Sequence, residues 1–271
     1  MAATLHERAE GVLAVLHRVR AGGERFVGAF LPGASARRMR VAAVADEWSA
    51  ANLEARHAAG PLWVVLGDGA SLGLGASTGD ATYVRLVAAA LNAQMDAASN
   101  AQMDAALNAQ MDTALQADGP PWRVVNLAVD GAGIDDVLAR QLPELRALSA
   151  PQPADLVTCV IGTADVLGRP RGVEARLRAL LAELPEGSVI ATLPPVWSTR
   201  TSAVLNALVR EEAGRRGLRV ADVWDASPRR GRWCGACYQP NDVGHARWAT
   251  AILAAVRGDA ADRDTSAAGQ A

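Results

Sequence analysis

The sequence predicts an α/β protein built on a five-stranded parallel sheet with helices on both faces. Three observations carry this prediction. Five short apolar runs (61–66, 122–129, 155–161, 188–193 and 218–223) have the length and composition of buried strands. Helix-forming stretches separate and follow them at 83–115, 134–148, 173–184, 202–216 and 244–256, and strands alternating with helices imply a parallel sheet joined by right-handed crossovers. The first run ends in Gly67-Asp68-Gly69, a turn signal at the carboxyl end of a strand, where open α/β sheets place their ligand sites.

Residues 1–60 precede this pattern and read as helical over 5–20 and 35–59, with Gly22, Gly23, Pro32 and Gly33 breaking the stretch between. The α/β domain is expected to span 61–257. The tail, 258–271, is small and polar and is expected to be disordered. One segment is a tandem repeat: 91–98, 99–106 and 107–114 are three near-identical units of eight residues. Eight residues turn a helix by about 800°, so each unit sits about 80° further round and no single apolar stripe survives. The repeat therefore reads as a surface extension of the helix that begins at Tyr83, carrying no core. A partner-docking arm is the functional alternative.

Composition excludes several classes. The 27 basic residues are all Arg and face 29 Asp+Glu, a formal charge of 27 − 29 = −2. That balance gives no electrostatic grip on nucleic acid, and the lack of Lys removes Schiff-base chemistry and phosphate-cradling P-loops. Glu7, Arg8 and Glu10 interrupt any leader-like apolar stretch. No window reaches the ~18 uninterrupted apolar residues of a membrane span, so a cytoplasmic protein is expected. Three Cys make no disulfide framework, and no metal or cofactor is expected.

The strand ends carry the functional signal. The run Leu66-Gly67-Asp68-Gly69-Ala70-Ser71-Leu72-Gly73-Leu74-Gly75 resembles the first sequence block of the SGNH/GDSL hydrolases, esterases and acyl hydrolases whose nucleophilic Ser follows Gly-Asp. Asn126-Leu-Ala-Val-Asp-Gly131 resembles the second block, Gly162-Thr163-Ala164-Asp165 the third, and Tyr238-Gln239-Pro240-Asn241-Asp242-Val243-Gly244-His245 the last. The resemblance covers residues 62 to 256 and implies a flavodoxin-like, three-layer α/β/α fold. It also implies that Gly69 stands at the nucleophile position, Gly131 at the oxyanion glycine, Ala164 at the oxyanion Asn, and Ala236 and Gln239 at the Asp and His of the triad. Of these five only Gly131 keeps the family residue. Asp68, Gly73, Gly75, Asp165, Pro240 and the Gly244-His245 helix start keep the scaffold.

Ester hydrolysis of this type needs a hydroxyl to attack, an imidazole to take its proton and a carboxylate to orient the imidazole. Gly69 offers no side chain, and Gln239 takes up no proton near pH 7. Removing a nucleophile or its base costs on the order of 10⁶ in kcat. The leading expectation is therefore a degenerate member retaining a small-molecule, acyl or glycan cleft lined by Asp68, Gly69, Gly131, Thr163, Ala164 and Gln239.

One rival is an active hydrolase using Ser71 and His245. Ser71 lies about 200° round the helical turn from the nucleophile position, so local hydrogen bonding at the helix start is its blander role, and His245 would pack at the last helix. Gly69-x-Ser71-x-Gly73 also spells a nucleophile elbow, but that motif belongs after several strands, not the first. A scaffold acting through the repeat helix is the third reading. Cys234 and Cys237 form a C-x-x-C pair on the loop that should carry the missing Asp and His, with Arg229, Arg230 and Arg232 upstream. Free thiols, a reversible disulfide and a metal site are the readings for it, while Cys159 reads as a core thiol.

Overall fold

The structure, a computed structural model, describes residues 34–108, 120–150, 152–168, 171–195, 199–226 and 239–258. The predicted helix at 5–20, the C-x-x-C pair with Ala236 and its upstream arginines, the last repeat residues and the tail lie outside them. Five strands, β1 (Leu62–Gly67), β2 (Arg123–Asn126), β3 (Leu156–Val160), β4 (Val189–Ala191) and β5 (Arg219–Ala221), form one parallel sheet in the order β2-β1-β3-β4-β5. Every residue of β1 and β3 is buried, which is why these runs show no polar alternation in the sequence. The order reverses between β1 and β3, which puts the switch-point crevice at their carboxyl ends.

The helices, in chain order, are α1 (Ala34–His57), α2 (Gly69–Leu72), α3 (Tyr83–Asn108), α4 (Ile134–Asp136) continuing through a π turn (Val137–Gln141) into α5 (Leu142–Leu148), α6 (Thr163–Gly168), α7 (Val173–Glu183), α8 (Thr199–Arg215), α9 (Val223–Ala226) and α10 (Asp242–Arg257). α3 and α10 pack together on one side of the sheet, α7 and α8 with the π turn on the other, and α1 lies along the edge strand β2. The result is three layers. Trp63, Tyr83, Trp248, Leu180 and Leu181 are among the largest fully buried side chains.

The repeat departs from its expectation at its start. α3 is helical from Tyr83 to Asn108, 26 residues and about 39 Å. Leu91, the first residue of the first unit, belongs to the core, and Asn92 Oδ1 accepts from Trp122 N at 2.8 Å. The duplicated sequence thus begins inside the body of the protein, because the packed face of α3 runs one turn further than the repeat boundary.

Candidate active-site cleft

The turn after β1 is fastened by buried side chains from several elements. Asp68 caps α2, its Oδ1 accepting from Ala70 N at 3.0 Å. Asn126, at the end of β2, donates through Nδ2 to Ser71 O at 2.8 Å, and Trp48 of α1 donates through Nε1 to Leu72 O at 2.9 Å. The π turn aims Gln141 at Gly67: its Oε1 accepts from Gly67 N at 2.8 Å and its Nε2 donates to Gly67 O at 2.9 Å. Buried amide groups held in pairs like this fix the strand end at both donor and acceptor.

The loop that follows docks on the start of α10. Gly75 has φ +96°, and a Cβ there would stand 2.3 Å from Pro240 O, so only glycine permits the approach. Ser77 N and Oγ both donate to the Asp242 carboxylate at 2.7 Å, which that contact holds below the usual carboxylate range. This docking brings Gln239 to the mouth of the turn.

What stands at Gly69 decides the chemistry. A Cβ built there would lie 2.7 Å from Asp130 Oδ1, 2.9 Å from Gln239 Nε2 and 2.9 Å from Leu74 Cδ1. The space a serine side chain would enter is therefore already taken by three side-chain ends. Arg37 of α1 reaches the same carboxylate, Nη2 to Asp130 Oδ1 at 2.9 Å. Gln239 Oε1 is buried without a hydrogen-bond partner. Beneath them Asp68 is buried, and desolvation, with the neighbouring charges of Asp130 and Asp165 adding to it, raises its pKa to about 7.

The other predicted residues fall into two groups. Gly131 (φ +74°) follows Asp130 after β2, and Thr163 and Ala164 open α6 after β3, both half-buried, so these come to the same crevice as Asp68, Gly69 and Gln239. Asp165 is buried behind it, where its Oδ2 accepts from Ile134 N at 2.9 Å and its Oδ1 receives Arg176 Nη2 at 3.2 Å.

Ser71 and His245 are not paired with each other. Ser71 is fully buried and accepts from Tyr83 Oη at 2.7 Å, so its bond is to a residue twelve positions on and not local to the helix start. The His245 ring stacks on Tyr83 with centroids 6.0 Å apart, accepts from Tyr83 N at Nδ1 (3.2 Å) and faces Leu74 O with Nε2 (3.4 Å). That pattern fixes the Nε2–H tautomer, and burial pushes the pKa down to about 4, keeping the ring neutral. Cys159 is buried in β3, where desolvation pushes its thiol up and keeps it protonated.

The family model for the GDSL-like lipase/acylhydrolase family matches residues 65–247, spanning the turn after β1, the crevice and the start of α10. The chain belongs to this family. Solved structures are similar to it at low identity. A lipase/acylhydrolase from Enterococcus faecalis is 17% identical with a TM-score of 0.50, covering 74% of this chain and 97% of its own. TesA is 18% identical (TM-score 0.49, 73% and 98% covered), and the family 3 carbohydrate esterase of Clostridium thermocellum 15% (0.49, 73% and 96%). No curated protein matches. Sequence reasoning missed Asp130, Leu74 and Arg37. Asp130 adjoins the second-block glycine and was legible as a neighbour of the cleft, whereas Arg37 arrives from 93 residues away with no local signal. Among the described residues no cluster of three or more His, Cys, Asp or Glu is placed to hold a metal ion, and no helix is long and apolar enough to cross a membrane.

Proposed function

We propose that this chain is a catalytically degenerate GDSL-family protein that keeps the cleft and binds a small acyl or glycan ligand there without hydrolysing it. The observation that carries this reading is the crowding at Gly69: where the family resemblance puts the nucleophile, a Cβ would stand 2.7 Å from Asp130 Oδ1 and 2.9 Å from Gln239 Nε2. A carboxylate there also repels the negative charge that develops on an ester oxygen during attack, the reverse of oxyanion stabilisation. The side chains facing the cleft, Asp130, Arg37 and Gln239, suit a hydroxylated or amide-bearing ligand through hydrogen bonds.

Turnover of p-nitrophenyl acetate and butyrate tests the reading. The expected rate is that of buffer, with no labelling by a fluorophosphonate probe. Ester turnover that Ser71→Ala abolishes would overturn it in favour of the Ser71/His245 hydrolase. Gly69→Ser with Gln239→His, Ala236→Asp and Ala164→Asn should recover activity only once Ser and His are both present, since these groups act as a unit.

A further inference from the structure

A second cavity lies outside the cleft, between α1 and the backbone that follows α2. It encloses about 130 Å³, and its lining includes Arg40, Val44, Glu47 and Trp48 from one face of α1, Leu72 from the turn and Arg85 from the first turn of α3. None of Asp68, Gly69, Gly131, Ala164 or Gln239 lines it. Its lining mixes the apolar Val44, Trp48 and Leu72 with the polar Thr78 and Thr82 and with three charged side chains. The Arg85 guanidinium stacks on the Trp48 ring, 4.7 Å from its centroid, and its nearest carboxylate is Glu47 at 3.6 Å, beyond hydrogen-bond distance. Among the described residues no protein group accepts a hydrogen bond from that guanidinium. Arg40 spends Nη2 on Ala76 O at 3.1 Å. Two guanidiniums against one carboxylate give the rim a formal charge of 2 − 1 = +1.

We propose that this cavity binds a short aliphatic monocarboxylate, its chain on Val44, Trp48 and Leu72 and its head group on Arg85 and Arg40. A closed cavity of about 150 Å³ holds a benzene-sized ligand, so this partly open space of about 130 Å³ suits a ligand of no more than about six heavy atoms. A guanidinium pairs with a carboxylate by two parallel hydrogen bonds, and the planar Trp48 ring beneath Arg85 holds the fork in place. Glu47 at the rim counts against a dianion. Dissociation of the ligand into water would restore the loose Glu47–Arg85 contact.

Calorimetric titration of the full chain with sodium butyrate, butyramide and inorganic phosphate decides the matter. Butyrate should bind saturably with one site, butyramide and phosphate at least about tenfold more weakly, and Arg85→Gln should weaken butyrate about tenfold. Ala43→Trp, which places a ring on an exposed residue of the cavity lining, should abolish binding, while Asp130→Asn in the cleft leaves it unchanged. Circular dichroism confirms that each variant is folded. Absence of saturable butyrate binding, equal binding of butyramide, or tighter binding of phosphate would overturn the proposal. So would binding that survives Ala43→Trp and disappears with Asp130→Asn, which would place the ligand in the cleft instead.

Discussion

The turn at Asp68–Leu72 and the space in front of it are built on opposite terms. The turn's backbone is bound by buried groups from β2 and α1, the Ser71 hydroxyl by Tyr83 of α3, and the strand end just before the turn by the amide of Gln141. The space at Gly69 is filled by side-chain ends: Asp130, held only by the exposed Arg37, Gln239, whose Oε1 has no partner, and Leu74. The fastenings of the turn are thus in place although Gly69 carries no side chain into the space before it. Substitutions in the turn's fastenings should be costly, and substitutions in the space should be cheap.

The largest effect is expected at Asn126. Its amide accepts from Ala128 N and donates to Ser71 O, both buried. Asn126→Ala strands those partners and should cost about 2–4 kcal/mol, since each buried group left unsatisfied costs about 1–3. Gln239→Ala, which removes an amide whose oxygen already lacks a partner, should cost under about 1 kcal/mol. Urea denaturation of the two variants gives the ratio directly, and equal losses would erase the contrast.

Asp68 in the turn and His245 at the start of α10 oppose each other in pH. Asp68 titrates in the fold at about 7 against an ordinary 3.8, so its contribution is full below about 3.8 and is lost as pH rises through 7. His245 titrates at about 4 against 6.5, so its contribution is full above 6.5 and is lost as pH falls through 4. Between about pH 4 and 6.5 the slopes run in opposite directions, each at most about 1.4 kcal/mol per pH unit. Asp68→Asn keeps the helix cap and should make stability rise more steeply with pH across that window than in the parent chain. His245→Gln should make it fall. Urea midpoints at pH 4.5, 5.5 and 6.5 measure both slopes, and parallel profiles would contradict the assignment.

How much of this was legible in the sequence follows from what each residue depends on. β1 and β3 were readable because strands buried on both faces are uninterrupted apolar runs. Gly69, Gly131, Ala164 and Gln239 stand out in the sequence because each sits at a strand end or helix start marked by glycine or proline. Ser71 was placed in the right turn, but its true partner, Tyr83, is set by the packing of α3 against that turn. Arg37 and Asp130 meet only through the docking of α1 along β2. That contact has no periodicity or spacing to betray it.

A smaller effect tests whether the space at Gly69 is truly occupied. Gly69→Ala adds one carbon within 2.7 Å of Asp130 Oδ1 and 2.9 Å of Leu74 Cδ1, and overpacking of this kind costs about 1–3 kcal/mol. The side-chain ends can move aside, so the lower half of that range is expected. In an Asp130→Ala background the same substitution should cost measurably less, because the carboxylate no longer stands in the way. The difference between the two costs is the coupling energy of the pair. Strict additivity would show that Asp130 swings clear in solution and that the space is open.

The smallest effect is expected within α3, where one helix contains both kinds of region. Leu91 is core, so the start of the repeat is fixed by packing. Deleting 99–106, the second repeat unit, removes two helical turns and advances whatever follows by about 80° in phase. If the units beyond the first pack on nothing, that change of phase is silent, and the thermal midpoint should move by no more than about 1 °C. If the chain between Asn108 and the strand β2 returns to the body in fixed register, the rotation misplaces every contact it makes, and the midpoint should fall by several degrees. Deleting 99–114 as well separates length from phase. Two units rotate the chain by about 160°, so a register-dependent contact would suffer differently from the one-unit deletion, whereas a free extension would tolerate both equally.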